Sequence, residues 1–310
     1  MKIYLNKAFL TNFFLNHSAD EELHFFVNRL LCNPQNGIEL IIDFDFEDAY
    51  KDSSLRPLFR QIAQKLPLTD VTFINSCQTS AFHNDAQARL FLLDEQVELN
   101  LEERFGCVMA NSTSLDKMEF LSNVEDLRIH KGMRDWNGLS KLQHPCNSLL
   151  ITDNYLFSND DNLDNVKSIL KAIMAKSLDA DFVFHLTIIG FDAKKSFQPI
   201  GGQKAKLEDF LKQYFTYKVD LTIIREDHHD RNIFTNYGRF SSGKGFGLFK
   251  KNRLSENDET TVTFHPITHK GRLSSTQSVR NEELEKCRKI NRTERMPDRL
   301  IGSRVNRLLV

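Results

Sequence analysis

Three apolar runs constrain this chain more than any other feature: NSLLITDNYLF at 147–157, FVFHLTIIG at 182–190 and VDLTIIRE at 219–226. Unbroken apolar stretches of this kind belong to strands buried on both faces, the situation of a parallel sheet. Between them lie two helical patterns, DNLDNVKSILKAIMAKS (161–177) and QKAKLEDFLKQYFTY (203–217). The first carries acidic residues in its opening turn, where they suit the helix dipole. Strands alternating with helices argue for βαβ units and a largely parallel sheet. Beyond 226, RNIFTNYG, KGFGLFKK and TVTFHPI (261–267) read as short strands of a hairpin or meander, and NEELEKCRKINR reads as helix.

The first half also reads as α/β. KIYLN (2–6), GIELIIDFDF (37–46) and DVTFINSC (70–77) are expected strands. Helices are expected at 18–32, where Leu23, Phe26, Val27, Leu30 and Leu31 have helical spacing, at 55–66 and at 83–97. The stretch from 98 to 145, which holds the sole tryptophan, Trp136, gives no clear reading.

Charge divides the chain unevenly. Residues 270–310 carry eleven Lys/Arg against five Asp/Glu, a net of +6, and the remainder carries −7. A basic tail on an acidic body suits an anionic partner, either a nucleic-acid backbone or the acidic face of a larger protein complex. Arg288, Lys289, Arg292 and Arg295 are its candidate partner-binding residues, followed by Arg299, Arg304 and Arg307. A solvated terminal helix explains the same charges equally well. Five scattered cysteines (Cys32, Cys77, Cys107, Cys146, Cys287) contain no CxxC, so neither zinc nor a disulfide framework is suggested, and a reducing cytoplasm is the expected setting. No leader pattern and no membrane span are expected, and no cofactor is called for.

The chemistry concentrates at HHDRNIFTN (228–236), directly after the third apolar run. In open α/β sheets ligands bind beyond the carboxyl ends of strands. A histidine there, His229, can serve as nucleophile or acid/base. Arg231, two residues on, shares its side of an extended segment and can grip a phosphate in bidentate fashion. Asn236 follows, then SSGKGFG (241–247), whose glycines let backbone amides approach an anion, with Lys244, Lys250 and Lys251 as further cations.

This arrangement resembles the phospholipase D superfamily, whose motif is HxK, four residues, then Asp, at the end of a sheet strand. Here His229–Asp230–Arg231 is followed by four residues and Asn236. LLITDNYLF resembles the strand that carries Asp-x-Tyr near the site in such proteins, which implies that Asp153 and Tyr155 lie at the pocket rim; by its own position after LLIT, Asp153 could equally cap the following turn. The chain is most similar to the phospholipase-D-like domain at the C-terminus of MIT-domain proteins and to its prokaryotic relatives. HDRNIFTN, GKGFGLFKK and ETTVTFH (259–265) carry that likeness, in order and spacing, over about 145–270. The resemblance implies a mixed sheet flanked by helices at 141–270, behind an α/β N-terminal domain at 1–140 and ahead of a basic helical tail at 271–310. It implies metal-independent phosphodiester cleavage of nucleic acid through His229, with Arg231, Asn236 and Asp153 as catalytic residues and Arg231, Lys244 and Lys250 on the phosphate, in a setting such as prokaryotic antiviral defence. Its departures imply something else. Only one motif is present, since His144 and His185 have no x-Lys partner, so a second would come from a homodimer or a degenerate N-terminal half. Arg replaces Lys, which keeps phosphate binding; Asn replaces Asp, which removes a charge that would tune the histidine. The MIT-type relatives imply a non-catalytic module for phosphate, whether on nucleic acid, an anionic membrane surface or a protein partner.

Three other groups read more blandly. His228 and His229 point to opposite faces of an extended segment and do not make a metal pair. Asp43, Asp45 and Glu47 share a strand face that could take Mg²⁺, but a solvated acidic strand end accounts for them. Trp136 could stack on a base, and a buried position is the stronger expectation.

Overall fold

The computed structural model describes residues 1–16, 21, 27, 39–45, 65–67, 70–83, 88–95, 97–157, 160–190, 200–226, 230–254, 258–268, 273–293 and 299–309. The chain divides into two compact units, Met1–Ser122 and Asn123–Val310. The division falls at 122/123, not at 140/141, because residues 123–140 belong to the second unit's sheet and core.

The first unit is built on β1 (Lys2–Leu5), β2 (Glu39–Ile42), β3 (Lys65–Pro67), β4 (Arg89–Leu92) and β5 (Val108–Ala110), an all-parallel sheet in the order β3-β2-β1-β4-β5. Helices α1 (Lys7–Asn16), α2 (Asp70–Phe82) and α3 (Leu101–Phe105) accompany it. The strands at 2–6 and 37–46 are found as β1 and β2. The strand expected at 70–77 is instead the start of α2. Phe73, Cys77, Ser80 and Ala81 are its buried residues, a helical spacing that the alternation of Val71 and Phe73 conceals over its first turn. The helix expected at 83–97 is overturned by β4, all four of whose residues are buried between β1 and β5. Arg89 disguised it: this arginine is buried, with Nε donating to Ser80 Oγ at 3.0 Å and Nη2 to His83 O at 2.6 Å. The helix expected at 18–32 lies outside the described residues except Glu21 and Val27, and that at 55–66 lies outside them except Lys65 and Leu66, which begin β3.

The second unit holds an eight-stranded mixed sheet. Its strands are β6 (Glu125–Ile129), β7 (Ser148–Thr152), β8 (Val183–Ile189), β9 (Lys218–Ile224), β10 (Asn232–Phe234), β11 (Gly238–Ser242), β14 (Thr260–Pro266) and β15 (Leu300–Ile301); β12 (Phe249–Lys250) and β13 (Arg253–Leu254) form a separate ribbon. The order is β15-β9-β8-β7-β10-β11-β14-β6. The three apolar runs are the parallel strands β7, β8 and β9, joined through α4 (Asp160–Ile173) and α5 (Ile200–Tyr214). Parallel pairing stops there: β10, β11, β14, β6 and β15 are antiparallel additions.

The basic tail is woven into this unit. Helix α6 (Leu273–Thr293) packs Leu284 and Cys287 onto Leu150, Ile189, Ile224 and Phe234. Strand β15 extends the sheet beside β9. Asn306 then donates to Leu149 O and Thr187 Oγ1, each at 3.0 Å, and Arg307 to Val183 O at 2.7 Å. Arg307 is buried and lies over the Phe182 ring, so it is not among the cations a partner can reach. Among the described residues no helix is long and apolar enough to cross a membrane.

Candidate phosphate site at the end of the central strand

Strand β7 ends at Thr152, and Asp153 is the next residue out. Its side chain is fully buried. Tyr155 N–H donates to Oδ1 at 2.9 Å and Phe246 N–H to Oδ2 at 2.6 Å. The glycine-rich loop SSGKGFG does bring a backbone amide to a carboxyl oxygen, and that carboxyl is the protein's own. Burial pushes the Asp153 carboxyl above the usual range, while the two amides and the Arg231 charge work against that rise.

Arg231 stands across from Asp153 because β10 runs antiparallel to β7, with Asn232 opposite Thr152. Its Nη1 donates to Gly243 O at 2.9 Å, and its guanidinium carbon lies 5.5 Å from the centre of the Tyr155 ring. Among the described residues, Gly243 O accepts from this group, which has five N–H donors. Lys244, exposed, is the next residue of the same turn.

Gly245 makes the loop possible. Its φ is +81°, and a Cβ there would stand 2.5 Å from Asp153 Oδ2 and 3.0 Å from Arg231 Cδ. Gly245→Ala is therefore expected to cost about 1–3 kcal/mol and to weaken any ligand held by Arg231. A thermal midpoint unchanged from wild type would contradict this.

The other expected site residues are placed as follows. His229, like Asp227 and His228, lies outside the described residues. Asn236 is not at this site. It sits at the opposite end of β7, where Oδ1 accepts from Asn147 N–H at 2.9 Å and Ser148 N–H at 3.2 Å, and Nδ2 donates to Asn147 Oδ1 at 2.9 Å. Four ladder positions from Asn232 amount to roughly 13 Å. An amide can give and accept at once, and this structural duty demands both, so aspartate would not replace it. Lys250 is exposed on the β12–β13 ribbon. Arg288 ties α6 to the chain end through Leu309 O at 3.1 Å and pairs with Glu285, and Lys289 is exposed on the same helix. The side chains of Arg292 and Arg295 lie outside the described residues. Trp136 is buried, as expected, and its Nε1 donates to Asn165 Oδ1 and Phe246 O.

Two contributors gave no sequence signal. Asn162, on α4, donates to Tyr155 O, and the Phe246 peptide bridges Trp136 to Asp153. In the first unit, Asp43 lies beyond the end of β2 and accepts from Lys7 N–H at 2.8 Å, and Glu47 lies outside the described residues. Among the described residues no group of three or more His, Cys, Asp or Glu is placed to hold a metal ion.

No protein-family profile matches the sequence, and a search of curated proteins finds no relative. Among solved structures the chain is similar to TrmBL2, an archaeal chromatin protein whose structure shows a novel mode of DNA binding, at 15% identity and a TM-score of 0.26. The match covers 56% of this chain and 58% of that one, so the chain spans a little over half the length of TrmBL2. At that score the likeness carries no argument.

Proposed function

We propose that the second unit is a phosphate-recognising module of the phospholipase-D-like type, with Arg231 as its anion anchor and Lys244 beside it. One observation carries this reading: the Arg231 guanidinium is held at the carboxyl end of β7 by Gly243 O and the Tyr155 ring. A guanidinium fixed through one N–H by a single acceptor keeps its other donors for a bidentate anion and loses little freedom on binding. The remoteness of Asn236 favours recognition over turnover, because the motif's last residue is committed to the other end of the strand. Fluorescence anisotropy of a labelled single-stranded oligonucleotide in EDTA tests this. Arg231→Ala is expected to weaken binding at least about ten-fold, the scale of one lost charge-assisted pair; equal affinity in the variant would remove the reading.

Cleavage is the second reading, and Asp153 favours it. A buried carboxyl with raised proton affinity beside a phosphate-binding arginine is a general-acid candidate. Here His229 would attack phosphorus. Cleavage in EDTA that vanishes in His229→Ala supports turnover; intact binding without cleavage leaves the recognition module alone.

A further inference from the structure

Tyr155 is 41% exposed, at the rim of the site, while its neighbours Asp153 and Leu156 are fully buried. Its backbone is fixed on both sides. The N–H donates to Asp153 Oδ1, and the carbonyl accepts from Asn162 Nδ2, whose own residue is buried on α4. The ring is thus presented by a backbone that is already ordered, next to a guanidinium 5.5 Å from its centre. A partly exposed ring beside an anchored cation has a definite chemical complement: a ligand with a π-face and a phosphate a few ångströms apart. Stacking on a preorganised ring loses little entropy and tolerates any base, because every base has a π-face. In a duplex, stacking between neighbouring base pairs hides that face. A phospholipid headgroup has none.

We infer that Tyr155 is a base-stacking residue and that the ligand of this site is single-stranded nucleic acid, with a phosphate on Arg231 and an adjacent base on the Tyr155 ring. This inference rests on the phosphate-recognition reading above and narrows its ligand class.

The experiment compares two fluorescein-labelled strands of equal length in EDTA, a short oligothymidine and an abasic phosphodiester, with vesicles of anionic phospholipid as a third probe. The oligothymidine is expected to bind about ten-fold tighter than the abasic strand, the size of one stacked base, and tighter than the vesicles. Tyr155→Ala is expected to abolish that ratio and Tyr155→Phe to keep it. Trp136 emission identical to wild type in each variant establishes that the second unit is folded. Equal wild-type affinity for the two strands, a ratio unchanged in Tyr155→Ala, or preference for the vesicles overturns the inference. If abasic binding still depends on Arg231, stacking alone has failed. If Arg231→Ala leaves the affinity for both strands unchanged, the phosphate-recognition reading falls with it.

Discussion

Trp136→Ala is expected to lower the stability of the second unit by about 3–5 kcal/mol, the range for removing a fully buried large aromatic. That is a large share of the roughly 5–15 kcal/mol available to a domain. Three losses combine. The ring is fully buried and packs edge-on against Phe249 and tilted against Phe246, with centroids 5.3 and 5.6 Å away. Its Nε1 donates to Asn165 Oδ1 at 2.9 Å and Phe246 O at 3.0 Å, so alanine leaves buried acceptors to find new donors. The cavity cannot close without moving the Phe246–Phe249 segment. That segment matters to the site, because the Phe246 N–H holds Asp153 Oδ2. Trp136→Ala should therefore lower the urea midpoint followed by circular dichroism and weaken oligonucleotide binding together. Trp136→Phe keeps most of the volume and loses only the donor, so it should fall between the two. A Trp136→Ala midpoint within experimental error of wild type would show that the loop does not depend on this ring.

The parts of this molecule legible in its sequence are those where one physical signal dominates. The runs at 147–157, 182–190 and 219–226 could only be buried strands, and the helices between them showed clean amphipathic spacing, so the βαβαβ heart of the second unit was readable in place. Beyond 231 the outcome is mixed: β10 and β14 fall inside runs expected as strands, whereas β11 (Gly238–Ser242) falls mostly in the gap between RNIFTNYG and KGFGLFKK, and only Phe249–Lys250 of the latter is strand. Failures came where two signals compete. Asp70–Phe82 begins with an alternating Val-x-Phe and only later shows its 3.6-residue repeat. Arg89–Leu92 was hidden by a charged residue whose burial rests on Ser80 and His83, contacts no local pattern reveals.

The site was half legible for a similar reason. Arg231 and Asp153 meet because β10 pairs antiparallel with β7; Arg231 was expected from its place after the third apolar run, and Asp153 only from the resemblance to the phospholipase D superfamily. Asn236 was misplaced by motif spacing alone. Strand β10 and the bend after it carry it to the far end of the sheet, where its amide pins Asn147 and Ser148. The tail misled through charge: net positive composition says nothing of Arg307, which is buried and donates to main-chain carbonyls. In each case the deciding partner lies far off in sequence.

Acidification should destabilise the second unit steeply, and two histidines set the window. His144 is buried beside Phe240 and Phe264, with Nδ1 3.2 Å from Leu142 O and Nε2 2.8 Å from Thr235 Oγ1. A carbonyl can only accept, so Nδ1 carries the proton and Nε2 receives the Thr235 hydroxyl. Burial lowers its pKa from 6.5 to about 4. His185 is buried too, and its Nδ1 accepts the Arg307 N–H at 3.2 Å, which requires a neutral ring. Burial, and then the Arg307 charge, lowers its pKa to about 3. Both folded values lie below the unfolded one. Between pH 6.5 and about 4 the unfolded chain therefore binds more protons than the folded one, and stability falls as pH falls. Each histidine contributes up to about 1.4 kcal/mol per pH unit in that window. Asp153 opposes them: its raised carboxyl pKa makes the folded state take up a proton first, which favours folding as pH drops. Two histidines against one carboxyl leave stability falling as the pH drops from 6.5 towards 4.5. Urea midpoints at pH 7.5, 6.0 and 5.0, read from Trp136 emission, should decline in that order. A His144→Gln, His185→Gln double variant should start less stable and decline less. A wild-type midpoint that stays level or rises on acidification would overturn this account.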